Sequence, residues 1–364
     1  MSTVHQIIPV LAPHDAVGNH TLQVRDALRA AGFTSEVFSE FRLGHHAGTG
    51  LPLSDYDAHG GQADLVIYQS STGSSAVDWL LRRSEPLAVN YHNITPASFF
   101  EAWDDQAAAS MRRARAQLGA MARRSRLALA DSPFNAAELT ELGYSPVQVS
   151  PLLLDLDSRL AAPDPVVAEH LARTRAGRSW LFVGRLAPNK CQHDVIAAFA
   201  AYRMLYDRGA RLTLVGSEAA SSYADALLGL VDDLGVTSAV TFAGPVTDAE
   251  LAAYYADADA FVCLSQHEGF CVPLLEAMRH DVPVVALAAG AVPDTVGHAA
   301  VLVERDAATP HAVAASVHEM LEDDAFRASL VAAGRGVLAS HSLDAAKDAF
   351  VGAIRTHLAS RTGA

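Results

Sequence analysis

The sequence predicts an α/β protein of two doubly wound domains in tandem, and three observations predict it. Short β-rich apolar runs alternate with longer amphipathic segments along the chain, the pattern of parallel sheets covered by helices. The 364 residues exceed what one hydrophobic core comfortably fills and suit two domains of ordinary size. A charged, proline-containing stretch at Asp155–Ala176 interrupts the pattern near its middle and reads as a linker with room for one short helix.

The apolar runs supply six strands to each half. In the first they are Gln6–Val10, Ser35–Phe38, Asp64–Gln69, Leu87–Tyr91, Leu127–Asp131 and Val147–Pro151. In the second they are Trp180–Gly184, Arg211–Val215, Val240–Ala243, Ala260–Leu264, Val282–Ala286 and Ala300–Val303. The expected domains are therefore residues 1–155 and 177–342, joined by 156–176. Doubly wound sheets bind ligands at the carboxyl ends of their strands, so loops that follow strands are where chemistry is expected.

Composition excludes several classes. Half of the residues are apolar and 19% are charged, the balance of a folded globular protein. A formal net charge of −14 makes a poor general nucleic-acid binder, because phosphate backbones recruit clustered Lys and Arg. Three cysteines, Cys191, Cys263 and Cys271, with no CxxC, argue against a disulfide framework or structural zinc and fit a reducing cytoplasm. The N-terminus has no basic-then-apolar leader, and no apolar run approaches the roughly 20 residues that span a bilayer.

The most informative stretch is Ser265–Met278, SQHEGFCVPLLEAM. It follows the strand AFVCL, and Pro273 suits the first turn of a new helix. Gly269 allows close ligand approach, and the helix start, with its dipole, suits a diphosphate. Glu268 and Glu276, eight residues apart across this junction, can bracket a sugar nucleotide. Each taken singly is equally a charge partner of the helix start. A second element is LFVGRLAPNK, where Gly184 ends a strand and Arg185 and Lys190 follow in a loop. Two cations there suit an anionic leaving group, although either alone reads as a solvated surface charge.

Together VGRLxxxK, the strand end Leu214-Val215-Gly216, FAGPVTDAELAAYYADADAFVCLS and HEGFxxPLLEAM resemble the family-4 retaining glycosyltransferases of the GT-B fold, and Glu268 and Glu276 match that family's E-x7-E motif. The similarity covers most of the second half, in order. It implies two Rossmann-like domains facing across a deep cleft, with a C-terminal helix at about 343–360 returning to the first. It implies that Arg185 and Lys190 bind the donor diphosphate and that Glu268 contacts hydroxyls of the transferred sugar. Glu276 would hold the ribose, Gly184, Gly269, Phe270 and Cys271 would line phosphate and sugar, and Val246 would lie near the base. It further implies a UDP- or GDP-linked hexosyl donor, no cofactor and no metal. The chain departs from the family at two places. Cys271 stands where the family usually has Gly after EGF, and Asp281 stands where it has Gly before the following strand.

The first half carries weaker signals. Gly18 lies in a loop entering a helix, PHDAVGNH, and reads either as a ligand loop or as a plain helix entry. His92 ends a buried strand in VNYHNITP and resembles the family's histidine near the donor sugar; the competing reading is a capping or core histidine. The loop QSSTGSS at 69–75 is dense in hydroxyls and could line an acceptor pocket. Arg112, Arg113, Arg115, Arg123, Arg124 and Arg126 form a basic run. It is either a solvated, paired face or a peripheral contact with the anionic inner face of a membrane. His45-His46 makes no metal site by itself, and Asp155-x-Asp157 and Asp257-x-Asp259 are chance DxD matches.

The expected activity is retaining transfer of a hexosyl group to a hydroxyl of a glycan, lipid-linked or small-molecule acceptor. A nicotinamide oxidoreductase is disfavoured because no GxGxxG follows a strand. An inactive scaffold of the same fold and a sugar-nucleotide epimerase remain as alternatives.

Overall fold

The computed structural model describes residues 2–12, 15–43, 49–59, 61–156, 160–218 and 220–362. The pair His45-His46 and Asp157 of the first DxD match lie outside them, as do Pro13 and His14 of the first loop. The chain divides into two compact units. The first comprises Met1–Ser98, Gln106–Leu154 and His341–Ala364, and the second Phe99–Asp105 and Asp155–Ser340.

Among the described residues, unit 1 holds seven parallel strands: β1 (Val4–Leu11), β2 (Val37–Arg42), β3 (Leu51–Pro52), β4 (Leu65–Ser70), β5 (Leu87–Tyr91), β6 (Ser125–Ala130) and β7 (Val147–Val149). Their order is β3-β2-β1-β4-β5-β6-β7. Only β3, a two-residue edge strand, had no counterpart in the sequence pattern. The central strands read as continuous apolar runs because both faces are covered. Side chains alternate between those faces, and two cores result. Val66, Tyr68, Ala128 and Ala130 face one, together with Leu118 and Met121 of the helix Asp105–Ala122. Leu65, Ile67, Leu127 and Leu129 face the other. That second core is closed by the helix Leu343–Thr362. Its Ala346, Phe350 and Ile354 recur at helical spacing and pack with Val24 and Leu28.

Among the described residues, unit 2 holds six parallel strands: β8 (Ser179–Val183), β9 (Arg211–Val215), β10 (Val240–Gly244), β11 (Ala260–Cys263), β12 (Val284–Leu287) and β13 (Ala300–Val303). Their order is β10-β9-β8-β11-β12-β13. The order reverses direction at β8 and β11, and such a switch point opens a crevice at the strands' carboxyl ends.

The stretch expected to be a linker is part of this unit. Its helix Pro165–Thr174 is capped by Asp164 and packs on the helix Asp248–Asp257. The Asp257-x-Asp259 match is an ionic anchor: Asp257 pairs with Arg211 at 2.5 Å and accepts from Ser179 Oγ at 2.7 Å, while Asp259 pairs with Arg175. Phe99–Asp105 also belongs here, an association the sequence pattern does not reveal. Trp103 packs edge-on to Tyr223 with ring centroids 5.1 Å apart, and its carbonyl accepts from Ser222 Oγ at 2.5 Å.

Candidate active site

The switch point of unit 2 brings together Lys190 and Glu268, two of the charged residues singled out in the sequence. After β8 the chain passes Gly184 and the exposed Arg185, makes one tight turn at Pro188–Lys190, and enters the helix Gln192–Leu205 through Cys191 at φ 52°. After the neighbouring β11 comes the loop with Glu268, then the helix Val272–Arg279. Strand order, not sequence proximity, brings these loops together, and Lys190 Nζ donates to both carboxylate oxygens of Glu268 at 2.6 and 2.7 Å. Glu268 is 7% exposed and Lys190 21%, so the pair is sheltered yet reachable from solvent. Burial alone would lower the Lys190 pKa; the Glu268 carboxylate, with the neighbouring Cys271 and Cys263, more than reverses this, and the ammonium is held above its ordinary value.

The backbone of the Glu268 loop is fixed from three sides. Asn189 Nδ2 donates to the His267 carbonyl at 3.2 Å, and the Gln266 amide donates to the Asn189 carbonyl at 2.9 Å. Thr295 Oγ1 donates to the Phe270 carbonyl at 2.5 Å. The Ala291 amide donates to the Glu268 carbonyl at 2.9 Å. Gly290, at φ 57°, lies so close that a Cβ on it would come within 2.6 Å of that carbonyl oxygen. Asn189, Gly290 and Thr295 were not singled out in the sequence; the signal available was a glycine in the loop after a buried strand, in LAAGAVP.

Cys271 caps the helix at φ 72°, ψ 66°, a left-handed conformation that suits glycine and costs another residue about 1–3 kcal/mol. Asp281 also lies in this region, at φ 55°, where it pairs with Arg335 through both carboxylate oxygens at 2.7 and 2.9 Å. The two departures from the glycines of the resembled family thus fall at two positions with a geometric reason for glycine. Gly269 and Phe270 sit between Glu268 and the helix start. Glu276, in the second turn, is half-buried and accepts from Tyr255 OH at 3.2 Å.

At the carboxyl ends of β8, β9 and β10 a pocket of about 250 Å3 is lined by Leu186, Gly216, Ser217, Glu218, Phe242, Gly244 and Pro245. Gly216 is what keeps these strand ends together: a Cβ there would lie 2.1 Å from the Gly184 carbonyl oxygen. Val246 follows this rim, just before Thr247 caps the helix Asp248–Asp257 with a capping box.

The polar residues of unit 1 are disposed differently. The His92 side chain is 1% exposed. Its Nδ1 lies 2.8 Å from Asp131 Oδ2 and its Nε2 2.6 Å from Gln69 Oε1, so both ring nitrogens are engaged inside the unit. Gln69 continues to Gln6 and Asn90, and Asn90 to the buried His20, which also accepts from the Leu153 amide at 2.9 Å. Burial holds the His20 pKa well below 6.5, and burial raises that of Asp131. Gly18 is buried in the first turn after β1, its amide donating to the capping Asp15 at 2.8 Å. In the loop after β4, Ser74 and Ser75 bind Glu40.

At least three of the six arginines of the run have partners within unit 1. Arg113 pairs with Asp78, Arg115 with Glu138, and Arg124 donates to the carbonyls of Arg83 and Glu85. Nothing among the described residues supports a membrane contact there, and no helix is long and apolar enough to cross a membrane. Cys263, Glu268 and Cys271 bring their ligand atoms within 4.8 Å of one another, but Lys190 already holds both Glu268 oxygens, so a cation would have to displace an ammonium.

Solved structures share this architecture over the whole chain. Sucrose-phosphate synthase from Thermosynechococcus elongatus superposes with a TM-score of 0.76 at 20% identity, covering 99% of this chain and 100% of that one. Anabaena HepE, solved in complex with UDP and glucose, gives 0.75 at 18% identity, covering 98% and 100%. The chain is a two-unit α/β protein of the GT-B fold. Residues 175–337, within the second unit, match the family model described as glycosyl transferases group 1.

Two relatives illustrate the range. The GDP-mannose-dependent alpha-(1-6)-phosphatidylinositol monomannoside mannosyltransferase of Mycobacterium tuberculosis is 35% identical over 190 residues, 50% of this chain and 48% of the relative. The D-inositol 3-phosphate glycosyltransferase of Thermobifida fusca is 28% identical over 323 residues, 85% and 73%. The chain spans about half the length of the mannosyltransferase it matches.

Proposed function

We propose that the chain is a nucleotide-sugar-dependent retaining glycosyltransferase that moves a hexosyl group from a UDP- or GDP-linked donor to an acceptor hydroxyl. The observation that carries this reading is the Lys190–Glu268 pair at the switch point, beside a helix start and next to the strand-end pocket. An ammonium held charged and sheltered is a ready partner for a diphosphate, and the exposed Arg185 adds a second cation at the same strand end. On donor binding the diphosphate takes over Lys190, and Glu268 turns its oxygens to hydroxyls of the sugar. Glu276 receives the ribose, and the pocket beside Gly216 and Val246 receives the base.

As the anomeric carbon–phosphate bond lengthens, Lys190, Arg185 and the dipole of the helix Val272–Arg279 stabilise the departing charge. The acceptor hydroxyl attacks from the same face and gives its proton to the leaving phosphate. The names of the relatives support hexosyl transfer and extend the acceptor class to inositol-containing alcohols, alongside glycans and lipid-linked sugars. His92, enclosed by Asp131 and Gln69, has in this proposal the role of holding the end of β5, one strand from its switch point.

Thermal unfolding with UDP, GDP, ADP and their sugars tests the reading, on the natural chain and on Glu276→Ala. A nucleotide at 100 times its dissociation constant adds about 2.7 kcal/mol. One base should stabilise the natural chain and lose that effect in the variant. A folded chain that no nucleotide stabilises would refute the proposal.

A further inference from the structure

Beneath the Glu268 loop lie two thiols that the transfer reaction does not use. Cys263 is the last residue of β11 and Cys271 caps the next helix, so the pair brackets Leu264–Phe270, Glu268 included. Their sulfurs are 3.9 Å apart. Cys263 is 2% exposed and Cys271 8%. Cys263 Sγ also lies 3.3 Å from Ser265 Oγ. Cys271 occupies a backbone conformation at φ 72° that favours glycine, so the sequence places a side chain where geometry disfavours any, and that side chain is a thiol aimed at a second thiol.

We propose that Cys263 and Cys271 are an oxidation site: a peroxide converts them to a disulfide that draws the bracketed loop out of its donor-binding conformation. The Cys263 thiolate attacks one peroxide oxygen, the O–O bond breaks, and the departing hydroxide takes up the proton that the thiol released, giving a sulfenic acid and water. The Cys271 sulfur then attacks the sulfenic sulfur, the S–S bond forms, and a second water leaves. Each sulfur is oxidised, the peroxide is reduced, and no other reactant is needed.

The local electrostatics suit this order. The hydrogen bond from the Cys271 thiol lowers the Cys263 pKa, and the same bond, with burial, raises that of Cys271. Closing from 3.9 Å to a bond of about 2.0 Å pulls Cys271 toward the sheet. Cys271 cannot move without its neighbours: the Phe270 carbonyl is held by Thr295, and the Glu268 carbonyl sits against Gly290. The strain therefore falls on the Glu268–Cys271 segment and on the Lys190 contact.

The effect on donor binding rests on the function proposed above; the pairing of the cysteines does not. The intact protein is treated with hydrogen peroxide or with dithiothreitol, digested without reduction, and mapped by mass spectrometry, and nucleotide affinity is measured on both forms. The expected result is a peptide cross-linked through Cys263 and Cys271, lighter by two hydrogens, with Cys191 still alkylatable. Nucleotide affinity should fall by about tenfold or more and return on reduction. Cys263→Ser, which leaves the donor loop's own residues intact, should bind nucleotide like the reduced protein and be insensitive to peroxide. Peroxide-treated protein without that cross-link overturns the proposal, and so does a cross-linked protein with undiminished affinity. A chain that forms the cross-link but binds no nucleotide even when reduced supports the pairing and counts against the donor reading.

Discussion

The carboxyl ends of the two sheets are built to opposite plans. In unit 1, Gln6, His20, Gln69, Asn90, His92 and Asp131 are bonded to one another in a buried network that leaves only Asn90 Oδ1 and Asp131 Oδ1 of its linked atoms without a partner. In unit 2, Lys190 and Glu268 form a pair that solvent still reaches, Arg185 stands exposed, and glycines keep the strand ends and the Glu268 loop in close contact beside a pocket. Both edges have the polar composition expected where an α/β sheet meets a ligand. Both sites are internally bonded, but a pair that solvent reaches can exchange its bonds for a ligand's, whereas the sealed His92–Asp131 pair would leave a buried group unpaired.

The sharpest break in that contrast is Glu268→Gln. It keeps the shape but removes the charge that Lys190 and the sugar share. Transfer should fall by 10²–10³-fold, about 2.7–4 kcal/mol of barrier, with the fold retained by circular dichroism. Unchanged turnover would move the chemistry away from this pair.

Gly216→Ala comes next. A methyl 2.1 Å from the Gly184 carbonyl, on a backbone at φ 142°, should cost on the order of 1–3 kcal/mol or more in thermal unfolding, and should widen the strand-end pocket enough to weaken nucleotide binding. A fully stable variant would show that the strand ends are loosely joined.

The smallest effect is predicted for unit 1 and depends on pH. His20 is held neutral in the fold, with its pKa well below 6.5, so the unfolded chain binds a proton that the folded chain does not. Its contribution is complete above about pH 6.5 and is lost as pH falls below it, at up to about 1.4 kcal/mol per pH unit from this one group. Unfolding followed by a probe in unit 1 should lose stability in this window, and His20→Gln should flatten the loss. An unchanged acid profile in the variant would place the titrating group elsewhere.

Much of unit 2 was legible beforehand because its signals are local. Apolar runs mark strands, Arg185, Lys190 and Glu268 lie in the loops that follow them, and Glu276 lies in the helix after the Glu268 loop. His92 was harder to read, since a histidine after a buried strand looks the same whether it faces a ligand or a carboxylate. Asp131 lies 39 residues away and Gln69 lies 23, and no sequence period connects them. The basic run at 112–126 left two readings open for the same reason, and the pairing of Arg113 and Arg115 agrees with the solvated, paired face. Helical proximity of arginines is visible in the sequence, while Asp78 and Glu138, which take up two of them, come from other elements.

The sequence by itself determined the alternation of strands and helices, the two-part division and the identity of the charged loop residues, because hydrophobic periodicity and turn chemistry act over a few residues. Tertiary structure alone decided which charges meet. Only the strand order β8-β11 sets Lys190 against Glu268, only the return of the last helix closes the core of unit 1, and only the packing of Gly290 and Thr295 fixes the Glu268 loop. Those contacts join residues far apart in the chain, and their energies depend on distance and burial, which spacing along a sequence does not specify.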